Sequence, residues 1–337
     1  MKRTNYLDCP CEIHGIYGYK KGDKIQRLPD DIIAKLPEVY KGLSTHPTGT
    51  RICLRTDADT FKISIQLDDV YADRGMSFYQ ANVGTIYVGE RKSSKYYGII
   101  SAEKSYDENE IYGTFNLPGG TNEITVFLPR NPEVLDIDFE IDDSAEIFAP
   151  TPYSFAGGKP IIFYGSSITE NGHTSSQNAY PSLISRLFDA DFCNLGFSGS
   201  ARGEEAMAEY IAKTDCSIFV YDYDHNAPSA EHLRETHERF FRIFRQAQPD
   251  TPVIMMTKPY DDFPETKERH DIIFKTYTNA INNGDKNVYF IDGLSYFPDE
   301  YREICTTDRT HPNDLGHYFM AEKLKEIINT IMNKATC

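Results

Sequence analysis

The chain has 337 residues, 40% hydrophobic and 26% charged, which is an ordinary globular composition on a length that exceeds what one hydrophobic core usually serves. Lys and Arg number 35 against 51 Asp and Glu, a net charge of −16 that repels nucleic acid and anionic lipid headgroups at long range and suits a neutral substrate. No stretch approaches the ~18 consecutive apolar residues of a membrane span, and Met1-Lys2-Arg3-Thr4-Asn5 runs into polar residues with no apolar signal core, so a soluble, cytoplasmic protein is expected.

Taken in chain order, Cys9-Pro10-Cys11 has no second Cys or His pair at finger spacing, and the seven cysteines are scattered and odd in number. Buried or idle thiols are expected, with neither a disulfide framework nor a metal. Asp30 to Leu43 is the one early stretch with helical spacing. From Arg51 to about Ile141 the pattern has period two, as in Arg51–Arg55, Phe61–Leu67 and Asn122–Leu128, with turn residues between. This predicts an all-β, jelly-roll-like sandwich of roughly eight short strands over residues 1–150.

Ala149-Pro150-Thr151-Pro152-Tyr153 is the expected joint, and residues 151–337 read as an α/β domain. Continuous apolar runs at Ile161–Tyr164, Phe192–Leu195, Ile218–Tyr221, Val253–Met256 and Val288–Ile291 predict buried parallel strands. Helical patterns fall between them at Tyr180–Phe188, Glu204–Lys213, Ala230–Gln246 and Thr266–Asn282, with a last one from Asn313 to about Met332. The expected arrangement is three-layer α/β/α.

The first of these strands leads into Gly165-Ser166-Ser167-Ile168-Thr169, at the carboxyl edge where open α/β sheets place their sites. A serine there can act as an acyl-transfer nucleophile with backbone N–H groups beside it. The same composition suits a helix cap, and on this segment alone the two readings stand level. Far downstream, Asp308-Arg309-Thr310-His311-Pro312 puts a carboxylate three residues before a histidine that Pro312 keeps out of the final helix. That spacing lets one turn hold the acid against the far nitrogen of the ring. His317 is expected to face solvent.

Gly165-Ser166-Ser167-Ile168-Thr169 resembles the first sequence block of SGNH (GDSL-like) hydrolases, with Ser166 where Asp is usual, and Asp308-Arg309-Thr310-His311-Pro312 is similar to their last. The resemblance implies a three-layer, flavodoxin-like hydrolase fold with Ser167 as nucleophile, His311 as base and Asp308 as its orienting acid. Asn194-Leu195-Gly196-Phe197-Ser198-Gly199-Ser200 resembles the second block, whose glycine donates a backbone N–H to the oxyanion. Gly199 is the expected donor, with Gly196 as the alternative, because a residue without Cβ lets the backbone come close to the developing charge. Asn226 takes by position the role of the third donor, beside the Ser167 N–H, although the glycine and the following Asp of that block are missing. Asp222, Asp224 and His225 are read as solvated or supporting groups rather than metal ligands.

The sandwich ahead of such a domain resembles the two-domain carbohydrate acetylesterases. This implies a small-molecule or oligosaccharide ester, foremost an O-acetylated sugar, and a two-step acyl transfer with no cofactor and no metal. The chain lacks Trp, the usual sugar-stacking residue, and most of its 23 tyrosines and 20 phenylalanines are expected in the core; Tyr164, Phe197 and Tyr260 lie near predicted strand ends. A lysophospholipase or thioesterase would use the same residues but should carry an apolar lid, and no such run lies near the motifs. A non-catalytic carbohydrate-binding protein need not keep Ser167, Gly199, Asn226, Asp308 and His311 together. The second wall of the cleft is left to the sandwich or to a partner subunit of a homo-oligomer.

Overall fold

Period-two segments close into two antiparallel sheets in the first 150 residues of the structure, a computed structural model that describes residues 1–70, 75–102, 109–260 and 265–335. The strands are β1 (Lys2–Asn5), β2 (Glu12–His14), β3 (Arg51–Thr56), β4 (Thr60–Leu67), β5 (Gly84–Val88), β6 (Lys95–Ile100), β7 (Glu110–Asn116), β8 (Asn122–Phe127), β9 (Val134–Ile141) and β10 (Ile147–Phe148). One sheet runs β1-β9-β4-β7, and the other runs β10-β3-β8-β5-β6 with β2 paired to β3. Ten strands among the described residues exceed the eight expected, because β1, β2 and β10 are too short to show alternation.

Alternation gives the second sheet two buried faces. Ile52, Leu54, Ile86, Val88, Ile124 and Val126 meet Ile63, Ile65, Phe139 and Ile141 of the first sheet in one core. The intervening side chains Arg51, Tyr87 and Phe127 turn the other way, toward the second half of the chain, where the Arg186 guanidinium lies 4.7 Å from the Tyr87 ring centroid. Such a strand cannot slip by one residue without exchanging the two cores.

In the second half the five expected strands form as β11 (Ile161–Gly165), β12 (Phe192–Gly196), β13 (Ile218–Asp222), β14 (Val253–Met256) and β15 (Val288–Ile291). They make a parallel sheet of order β12-β11-β13-β14-β15, so the direction of winding reverses between β11 and β13, where such sheets open a crevice. Ile161, Phe163, Ile218, Val220, Ile254 and Met256 point to a layer holding α5 (Tyr180–Phe188) and α9 (Asp314–Ala335). Ile162, Tyr164, Phe219, Tyr221, Val253 and Met255 point to α6 (Glu205–Ala212), α7 (Ala230–Ala247) and α8 (Thr266–Asn282).

The stretch Asp30 to Leu43 is not one helix but two short ones, α1 (Asp30–Ile33) and α2 (Tyr40–Leu43), because Pro37 bars Leu36 from helical geometry and cannot donate an N–H. Leu28, Ile33, Leu36 and Tyr40 join the core of the parallel half rather than that of the sandwich. A further short helix, α3 (Phe78–Asn82), precedes β5, and α4 (Ser167–Glu170) follows β11. The six described cysteines are buried and unpaired, and no described helix is long and apolar enough to cross a membrane.

Candidate active site

β11 delivers the chain to Ser166, which leaves the strand with extended dihedrals and caps α4 by accepting the Ile168 N–H at 3.1 Å. The cap reading of this segment thus falls to Ser166, and Ser167 is the first helical residue. The Ser167 N–H is one of the donors that a helix start leaves unpaired, and the residue remains 8% exposed. Thr169, one turn on, donates to Asp222 at 3.0 Å, and Tyr180 donates to the same oxygen at 3.1 Å.

The second element arrives from 144 residues away, with His311 Nε2 2.8 Å from Ser167 Oγ. His311 Nδ1 lies 2.8 Å from Asp308 Oδ2, while the His311 and Thr310 N–H groups donate to the other oxygen at 2.8 and 3.0 Å. Burial would raise the Asp308 pKa, but the N–H and ring of His311 and the Thr310 N–H outweigh it and hold the carboxyl at about 2. Asp308 is therefore an anion throughout the neutral range. Arg309 pays locally with a left-handed backbone, φ 63°, that closes the turn.

The two glycine alternatives separate cleanly. The Gly196 N–H is taken by Asn194 Oδ1 at 2.9 Å, and a Cβ there would lie 2.2 Å from the Glu170 nitrogen, so this glycine serves close packing of β12 against α4. Gly199 has φ +67° and open space where a Cβ would stand. Its N–H has no partner among the described residues. Asn226 donates one amide hydrogen to the Phe197 carbonyl at 2.9 Å, which ties it to the same loop and leaves its other hydrogen for a ligand.

One expectation changes. His317 does not face solvent: it is fully buried, accepts the Tyr180 N–H at Nδ1 (3.2 Å) and donates from Nε2 to the Asn171 carbonyl (2.7 Å), because the start of α9 packs beneath the turn that follows Ser167. Burial lowers its pKa to about 3 and keeps the ring neutral. Of the two roles expected for Asp222 and Asp224, solvated or supporting, burial leaves the second, and Asp224 holds the turn before Asn226 by accepting the Lys258 N–H at 3.0 Å and facing Arg269. Tyr164, Phe197 and Tyr260 are core residues, as expected of most of the aromatic side chains.

Burial also raises the Asp222 pKa from 3.8 to about 7 against the pull of Thr169 and Tyr180. Between those values the folded chain holds a proton that the unfolded chain has released, so stability falls as pH rises through this window and is level above it. Asp222→Asn keeps an acceptor for both hydroxyls and has no proton to lose. Its melting temperature is expected to drop less than that of the wild type between about pH 5 and about pH 8; parallel curves would refute the assignment.

The motifs do not single out His173 or Glu170, whose only sequence signal is nearness to Ser167. The His173 ring stacks on His311 with centroids 4.5 Å apart, and the His173 backbone N–H donates to the Pro312 carbonyl at 2.8 Å, which fixes the His311 loop against α4. Among the described residues, His173, Asp308 and His311 bring potential ligand atoms within 4.8 Å of one another, but both His311 nitrogens are already engaged in the relay.

The profile of the GDSL-like lipase/acylhydrolase family matches residues 158–329, and that of the N-terminus of SGNH hydrolase-type esterases matches residues 1–147. Among curated proteins no relative matches. In fold the chain is similar to a provisionally named GDSL-like lipase from Bacteroides ovatus ATCC 8483, with TM-score 0.85 and 23% identity over 98% of each chain. It is similar also to the salicylyl-acyltransferase SsfX3 of a tetracycline biosynthetic pathway, with TM-score 0.78 and 18% identity over 98% of this chain and 97% of that one. The acetyl xylan esterase Est2A of the rumen bacterium Butyrivibrio proteoclasticus follows with TM-score 0.64 and 13% identity over 99% of this chain and all of its own. At these identities the likeness establishes the fold, and the family match carries the assignment: the chain belongs to the GDSL-like lipase/acylhydrolase family and is a carboxylic ester hydrolase.

Proposed function

We propose that this hydrolase removes short acyl groups, foremost acetyl, from carbohydrate through an acyl-enzyme on Ser167. The observation that carries the reading is the relay from Ser167 Oγ to His311 Nε2 and from His311 Nδ1 to Asp308, each step 2.8 Å. Asp308 accepts the Nδ1 hydrogen, so the Nε2 lone pair takes the serine proton as Oγ attacks the ester carbonyl. The N–H groups of Ser167 and Gly199 and the amide of Asn226 hold the oxyanion. His311 then returns the proton to the leaving alcohol, and water repeats the sequence on the acyl-enzyme.

The choice of a short acyl group on a sugar draws support from the fold shared with Est2A, an acetyl xylan esterase by name, and from a net charge of −16 that disfavours anionic lipid. The division into a β unit, residues 1–150, and a hydrolase unit, residues 151–337, belongs to the same proposal. Hydrolysis of p-nitrophenyl acetate, butyrate and octanoate by the wild type and Ser167→Ala tests it. Acetate is expected to be preferred, with activity lost in the variant. Preference for octanoate would move the assignment to a lipid acyl chain, and activity surviving in Ser167→Ala would overturn the mechanism.

A further inference from the structure

Glu170 ends α4, the helix that Ser167 begins, and its side chain is fully buried. One of its oxygens accepts the Ser198 N–H at 2.9 Å and the Ser198 hydroxyl. Ser198 immediately precedes Gly199, so this carboxylate is the floor of the loop that would present the Gly199 N–H. Three side chains from the first 150 residues face it: His46 Nδ1 at 2.8 Å, Arg27 Nη2 at 3.4 Å and Arg130 Nη2 at 3.8 Å.

These groups also hold the surrounding backbone. Arg27 donates to the carbonyls of Asn194 (2.9 Å), Gly196 (2.6 Å) and Leu43 (2.7 Å), and its guanidinium lies 4.5 Å from the centroid of the Phe197 ring. The Thr48 hydroxyl donates to the Glu170 carbonyl at 2.8 Å. Burial alone would raise the Glu170 pKa, but Arg130, His46 and Arg27 together hold it well below the ordinary carboxylate range. An anion so enclosed keeps one geometry, which is what a preorganised oxyanion loop requires.

We infer that Glu170 is a positioning residue for acyl transfer, and that the N-terminal half acts in the reaction by clamping it through Arg27, His46 and Arg130. This rests on the Ser167 and Gly199 reading above. A loop that loses its floor should still admit substrate but hold the tetrahedral oxyanion less well, so the loss should appear in kcat rather than KM.

The test is Glu170→Gln in the full chain, on the best p-nitrophenyl ester, with an alkylboronic acid as transition-state mimic. We expect kcat to fall about 10- to 100-fold, KM to change less than about 3-fold, and the boronate inhibition constant to rise in step with the loss of kcat/KM. His46→Asn, which removes one clamp and keeps both arginines, should lower kcat about 3- to 10-fold with the same signature, and it decides the matter if Glu170→Gln does not fold. Unchanged kcat, or a change confined to KM, in whichever variants fold overturns the inference. Ser167→Ala in the same assay separates the two claims: an inactive Ser167→Ala beside a fully active Glu170→Gln defeats this inference alone, whereas an active Ser167→Ala defeats the mechanism beneath it.

Discussion

Replacing Ser167 by Ala, or His311 by Ala, is expected to lower kcat by about 10⁴- to 10⁶-fold, and replacing both should cost no more than either alone. The reason is that, on the proposed mechanism, the pair joined by the 2.8 Å contact between Oγ and Nε2 acts as a single device. Without the ring the hydroxyl has no acceptor for its proton, and without the hydroxyl the ring has no nucleophile to activate. What survives is stabilisation of a water attack by the oxyanion donors, which either variant retains. Folding should be little affected, since His311 is partly exposed and Ser167→Ala removes one oxygen. Steady-state rates of the two single variants and the double variant check this, and losses that multiply in the double variant would mean that the residues act independently.

The second large effect concerns the junction of the halves. Arg51→Met is expected to destabilise the protein by about 3–5 kcal/mol, read as a fall in the urea midpoint with activity per folded molecule retained. Arg51 is fully buried, pairs with Asp191, donates to the Phe192 carbonyl at 3.2 Å and to the Tyr153 hydroxyl at 3.1 Å, and lies 4.0 Å from the centroid of the Phe192 ring. Methionine fills similar space but leaves Asp191 with His14 as its remaining cationic partner. Burial alone would lower the His14 pKa, but Asp191 and Glu12 raise it to about 10. A histidine raised above its unfolded value contributes stability below about pH 6.5, and that contribution is lost as pH climbs toward the folded value. The defect in Arg51→Met should therefore deepen in alkali. A loss under about 1 kcal/mol would show that the apolar contacts of the interface suffice without the pair.

Much of this architecture is legible in the sequence, and unevenly so. The strands Val253–Met256 and Val288–Ile291 and the helices Tyr180–Phe188 and Thr266–Asn282 form at the positions their patterns predict, because buried parallel strands and amphipathic helices carry their burial in local periodicity. The residues proposed for catalysis could be named because two short blocks resemble those of a known family, not because periodicity marks them. What local pattern misses is set by distant packing. His317 sits on the face of α9 that enters the site, and nothing in its neighbours reveals it. Nothing in the sequence analysis marks Arg27, His46 or Arg130, which only the fold brings to Glu170, 124 residues from His46.

That convergence has a consequence for synthesis. The chain emerges with its β-rich half first, and Arg27, His46 and Arg130 wait with their counter-ion still unmade until Glu170 leaves the ribosome. The His311 loop is made later still and must dock on a serine made 144 residues earlier. Contacts closed over such spans form slowly and late. The proposed relay therefore cannot close until the β-rich half, the parallel sheet and the His311 loop have all been made, so it depends on contacts between segments far apart in the chain.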